Sequence, residues 1–84
     1  MKFLDPPDEI AVAENMQRLR EAQGLSQDAL AARTDGSFNE VAVWLIENHS
    51  RRITNADLTV LANALQVSPD DLLRRPSKEP RREP

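Results

Sequence analysis

The sequence predicts an all-α protein: one small domain of five short helices. Three observations carry this. One local pattern occurs four times: an apolar residue, a polar capping residue, then an apolar residue four positions after the cap. The alternation of apolar and polar residues that marks half-buried strands is almost absent. At 84 residues without a cysteine, the core must come from closely packed helices, because no disulfide or thiolate metal site can reinforce it.

The first helix is expected over about residues 8–23, with Asp5 or Asp8 beside Pro6-Pro7 as its start and Gly24 as a left-handed stop. Val12, Met16 and Leu19 recur at helical spacing and form its apolar face. The four repeated patterns start the other helices: Leu25-Ser26 with Leu30, Phe38-Asn39 with Val43, Ile53-Thr54 with Leu58, and Val67-Ser68 with Leu72. Each cap can accept a hydrogen bond from an unpaired N–H of the first turn, and each apolar pair can close as a staple across it. Thr54 and Ser68 also have an acid three residues on, Asp57 and Asp71, a shortened capping box, and Pro69 suits a first helical position. The expected spans are 27–34, 40–48, 55–65 and 69–74, and Leu58, Leu61, Ala62 and Leu65 give the fourth helix its buried stripe. The expected organisation is an N-terminal arm (1–7), the helical domain (8–75) and a tail (76–84) whose Pro-Ser-Lys-Glu-Pro-Arg-Arg-Glu-Pro composition predicts disorder.

The net charge of −3 is unevenly distributed. Residues 1–73 hold six basic against twelve acidic side chains, a net −6, and residues 74–84 hold five against two, a net +3. The opening residues lack the apolar run of a signal peptide and no stretch is long enough to span a bilayer, so the expected location is cytoplasmic. An enzyme is not expected. His49 is the only histidine, cysteine is absent and there is no Gly-rich phosphate loop, so neither a metal nor a cofactor is expected. The carboxylates gather at helix starts, where the helix dipole accounts for them.

The second and third helices are joined by Asp35-Gly36-Ser37-Phe38, a turn suited to a helix-turn-helix, in which the later helix enters the major groove. The residues themselves go further. Leu19-Arg20, Gly24-Leu25-Ser26-Gln27-Asp28-Ala29-Leu30-Ala31, Ile46-Glu47-Asn48 and the run from Leu58 to Leu73 resemble the phage repressor and Cro family, also called the xenobiotic-response-element family. The resemblance spans Val12 to Leu73 and implies a compact five-helix, lambda-repressor-like DNA-binding domain. The segment from Leu30 to Ile46 departs from the family by about two extra residues. Its Gly36-Ser37-Phe38-Asn39-Glu40-Val41-Ala42-Val43 resembles the recognition segment of the actinobacterial developmental regulator BldD.

The resemblance implies that the chain is a transcriptional regulator, most simply a repressor, that binds double-stranded DNA as a homodimer and associates with the nucleoid when bound. It implies DNA contacts from Gln27 and from Asn39, Glu40, Val41, Trp44 and Leu45 on the exposed side of the third helix, with Val43 and Ile46 turned inward. Asn48, Arg51 and Arg52 would reach the phosphate backbone, and the basic tail would add further contacts. Arg20 and Glu47 resemble an internal salt bridge between the first and third helices, a structural role. As a reader the third helix is unusual. Arginine on guanine and asparagine or glutamine on adenine are the strongest base contacts, and only Asn39 is of that kind, while Asn39 also serves as a cap. Val41, Trp44 and Leu45, flanked by Glu40, would equally suit a protein groove, which makes a protein partner the alternative reading. No membrane or small-molecule ligand is expected.

Overall fold

A computed structural model describes residues 2–74. Five helices follow in order: α1 (Pro6–Ala22), α2 (Gln27–Ala32), α3 (Glu40–Glu47), α4 (Asn55–Leu65) and α5 (Pro69–Leu73). The expected all-α class and the five-helix order hold among the described residues. The basic tail, 76–84, lies outside them, as does Arg75.

All four predicted caps form. The side chains of Ser26, Asn39, Thr54 and Ser68 accept from the backbone N–H of Ala29, Ala42, Asp57 and Asp71, three residues on. Both capping boxes close in full: the Asp57 and Asp71 carboxylates accept in return from the N–H of Thr54 (3.0 Å) and Ser68 (3.1 Å). Both members of every apolar pair enter one core. Leu30, Phe38, Val43, Ile53, Leu58 and Leu72 are buried, and Leu25 and Val67 pack against them partly covered. Of the two candidate starts for α1, Asp5 is the cap. Its side chain makes no capping bond, but Pro6 and Pro7 occupy the first turn and remove two of the N–H groups that would need a partner.

Three helices end the same way. After α1, α3 and α4 one residue takes a left-handed conformation: Gly24 (φ 71°), His49 (φ 61°) and Gln66 (φ 62°). The next N–H then reaches back five residues, from Leu25 to the Arg20 carbonyl, Ser50 to Leu45 and Val67 to Ala62. Only the first of these stops carries a glycine, which is why only it could be read from the sequence.

The end of α2 differs from expectation. It stops at Ala32 rather than Thr34, because the Thr34 hydroxyl draws the chain into a tight turn. That hydroxyl donates to the Ala31 carbonyl (2.7 Å) and accepts from the Phe38 N–H (3.1 Å), bridging both ends of the turn while buried. Asp35 and Gly36 between them both have positive φ. The residues ahead of α1 pack onto the domain: Phe3 pairs antiparallel with Thr54, the Leu4 N–H donates to the Ile53 carbonyl (2.8 Å), and the Leu4 side chain is buried. On the other side Asn15, 1% exposed, clamps the end of α5. Its amide donates to the carbonyls of Leu72 and Arg74, and its oxygen accepts from Arg18 (2.8 Å).

Candidate nucleic-acid interface

The α2–α3 pair is held by one buried network. The Arg20 guanidinium, near the end of α1, meets the Glu47 carboxylate side by side, Nε to Oε2 at 2.7 Å and Nη2 to Oε1 at 3.0 Å. Its remaining nitrogen donates to the Leu25 carbonyl (2.8 Å), so the start of α2 and the end of α3 are tied to the same group. The hydrogen bond it donates to Glu47 holds the Arg20 pKa above its ordinary value despite burial, and the Glu47 and Glu21 charges reinforce the shift. This is the internal pair that the sequence resemblance implied.

Gln27 joins this network. Its amide nitrogen donates to Glu47 Oε1 (2.9 Å), which fixes the side chain half-buried at the first position of α2. Across from it, α3 turns Val43 and Ile46 inward, fully covered, and presents Glu40, Val41 and Trp44 outward. Val41 is 63% exposed and Trp44 48%, high for large apolar side chains. Gln27, Glu40, Val41 and Trp44 together line a shallow pocket of about 280 Å³. Leu45, placed by the sequence on the exposed side, is half-buried and offers less surface than expected.

The two asparagines are partly committed. Asn39 is exposed, but its oxygen accepts from the Ala42 N–H (2.8 Å) as the cap of α3. Asn48 donates its amide to the Trp44 carbonyl (2.9 Å) at the other end of the same helix. The two arginines are committed as well. The Arg51 guanidinium lies 4.9 Å from the centre of the Phe38 ring and 3.9 Å from Asp57. Arg52 donates to Glu9 (2.8 Å) and to the Leu4 carbonyl (3.2 Å) and stacks 4.6 Å over Phe3. Glu9 accepts in addition from the Ile53 N–H (2.8 Å). The structure therefore gathers Gln27, Glu40, Val41 and Trp44 at one place, and sets Arg51 and Arg52 apart on the loop after α3, anchored to α4 and to the N-terminal segment.

Neither α2 nor α3 contains a lysine or arginine, and Asp28 and Glu40 lie in their first turns. Arg33, just past α2, was not singled out from the sequence. It is exposed and forms no ion pair among the described residues. Its signal was available, since it is the sole basic residue between Arg20 and Arg51.

A family model described as a helix-turn-helix domain matches residues 11–75. None of the curated proteins matches. Among solved structures, the chain is similar to a hypothetical transcription factor from Neisseria, with 26% identity, a TM-score of 0.77, and coverage of 93% of this chain and 88% of that one. It is also similar to the restriction-modification controller protein C.AhdI from Aeromonas hydrophila, with 29% identity, a TM-score of 0.70, and coverage of 77% and 96%. The DNA-binding domain of BldD shares the fold, at 24% identity and a TM-score of 0.72 over 84% of this chain and all of that one. With more than three-quarters of its length matched by that model, the chain belongs to the helix-turn-helix domain family.

Proposed function

We propose that this protein is a sequence-specific regulator of transcription, most simply a repressor, that binds double-stranded DNA with α3 in the major groove. The supporting observation is the α2–α3 pair itself: α3 is braced from behind by Arg20, Glu47 and Gln27, and its far side is left uncovered. The neighbouring structures described as a transcription factor and a controller protein support the same reading. Arg51 and Arg52 lie just past α3 and act on phosphates. The basic residues of 74–84 supply the nonspecific attraction that an acidic body lacks. One recognition helix reads too few base pairs for a unique site, so the functional species is a homodimer on a palindrome. Selection of bound duplexes from a random-sequence pool, followed by titration at several salt concentrations, tests this. A palindrome bound less tightly as salt rises is the expected result. Failure to enrich any sequence at low salt would overturn it.

A second reading is a helix-turn-helix reused for protein binding through the Trp44 face. The absence of basic residues from α2 and α3 favours it. Trp44→Ala separates the two readings. Loss of self-association or partner binding with DNA affinity intact supports the second, and loss of DNA affinity supports the first.

A further inference from the structure

The exposed charged side chains of α2 and α3, Asp28 and Glu40, are both acceptors. Gln27 spends one amide N–H on Glu47 and keeps its oxygen as an acceptor and its second N–H as a donor. The Glu40 carboxylate has no hydrogen bond or ion pair among the described residues, and it is exposed. Asn39 has its oxygen engaged by the Ala42 N–H, which holds its amide group at the cap of α3, outside the helix, with its N–H groups as donors. Val41 and Trp44 add apolar surface in the same pocket as Gln27 and Glu40. Guanine shows the major groove two acceptors, N7 and O6, which arginine or lysine meets best. Neither helix has one.

The complement of an acceptor beside an apolar wall is a base edge that donates or carries a methyl group. Cytosine's N4 amino group has the C5–H on one side and the paired guanine O6 on the other, whereas adenine's amino group lies between two acceptors, its own N7 and the paired thymine O4. A carboxylate facing adenine therefore meets a lone pair on either side, and one facing cytosine meets it on one side alone. Thymine offers its C5 methyl to an apolar side chain. Resting on the reading that α3 enters the major groove, we infer that Glu40 selects cytosine and that Val41 with Trp44 selects the methyl group of thymine. The half-site is then read on its pyrimidine strand, with no arginine or lysine from α2 or α3 on guanine.

The test uses the full chain and the duplex recovered from the random pool. In that duplex each cytosine is replaced in turn by another base, and each thymine by deoxyuridine, which removes the methyl and leaves every hydrogen-bonding group in place. The replacements are compared in the wild type, Glu40→Gln and Val41→Ala. Both side chains are exposed, so neither substitution disturbs the core. In the wild type, losing the contacted cytosine should weaken binding about fivefold or more, and losing one contacted methyl about fourfold. Glu40→Gln, which keeps an acceptor but gains a donor, should shift the preference at that position from cytosine toward adenine, and Val41→Ala should cut the methyl penalty to less than about twofold. A guanine-centred motif indifferent to Glu40→Gln and to deoxyuridine would overturn the inference while leaving DNA binding standing. An unenriched pool would remove both.

Discussion

Arg20 and Glu47, 27 positions apart, form a two-point ion pair with side chains 10% and 3% exposed, and the pair couples the end of α1 to the end of α3. Truncating either partner strands the other as a buried charge. Arg20→Ala or Glu47→Ala should each lower unfolding stability by about 3–5 kcal/mol in urea titrations. An apolar pair such as Arg20→Met with Glu47→Leu should recover most of that loss, because it removes the desolvation cost together with the attraction. A double variant as unstable as the single ones would show that the pair itself, and not the stranded charge, carries the energy.

His49 and Gln66 hold left-handed positions that glycine occupies at lower cost. An L side chain in this region costs about 1–2 kcal/mol, partly offset by the greater chain entropy of unfolded glycine. His49→Gly and Gln66→Gly should therefore each raise stability by about 0.5–1 kcal/mol, read as an increase in Tm. Gly24→Ala should do the reverse by a similar amount. No atom lies within 4 Å of the added methyl, so its effect would be conformational and not a clash.

Asp71 is held below the ordinary carboxylate range, first by the backbone N–H of Ser68, then by the Ser68 hydroxyl, with Arg74 adding to the shift. Because its folded pKa is depressed, the stabilisation is complete above the unfolded value near pH 4 and is lost as pH falls through the folded one. Titration of the Asp71 carboxyl by NMR should give a midpoint below that of a free aspartate. Ser68→Ala should move the midpoint upward. A midpoint unchanged in Ser68→Ala would rule out the hydroxyl and leave the backbone N–H, which alanine retains, as the cause.

Arg51 and Arg52 have different ties and should respond differently. In the DNA complex each replacement by alanine should reduce the salt slope by about 1 and leave the preferred sequence unchanged. Arg52→Ala should in addition loosen the N-terminal segment, since Arg52 bonds the Leu4 carbonyl and stacks on Phe3. Hydrogen exchange at the Leu4 amide, bonded to the Ile53 carbonyl, reports that loosening. Equal protection in both variants would mean that the backbone pairing alone holds the segment.

The sequence by itself determined the helix starts, the apolar faces and the core. A cap reaches only three residues and a staple five, so Ser26, Asn39, Thr54 and Ser68 were legible from their immediate neighbours. The buried stripes of α1 and α4 follow from helical periodicity in the same way. Of the candidate site, the outward face of Val41 and Trp44 was legible because Val43 and Ile46 must turn inward. Tertiary structure decided the rest. Nothing local indicates that Glu9 meets Arg52 or that Asn15 clamps the end of α5. Glu9–Arg52 and Asn15–Leu72 are separated by more than 40 residues, and which polar group finds which partner depends on how the helices pack. That packing also decides which polar atoms near α3 stay free. It ties one donor of Gln27 to Glu47, 20 residues away, and leaves Glu40 open among the described residues.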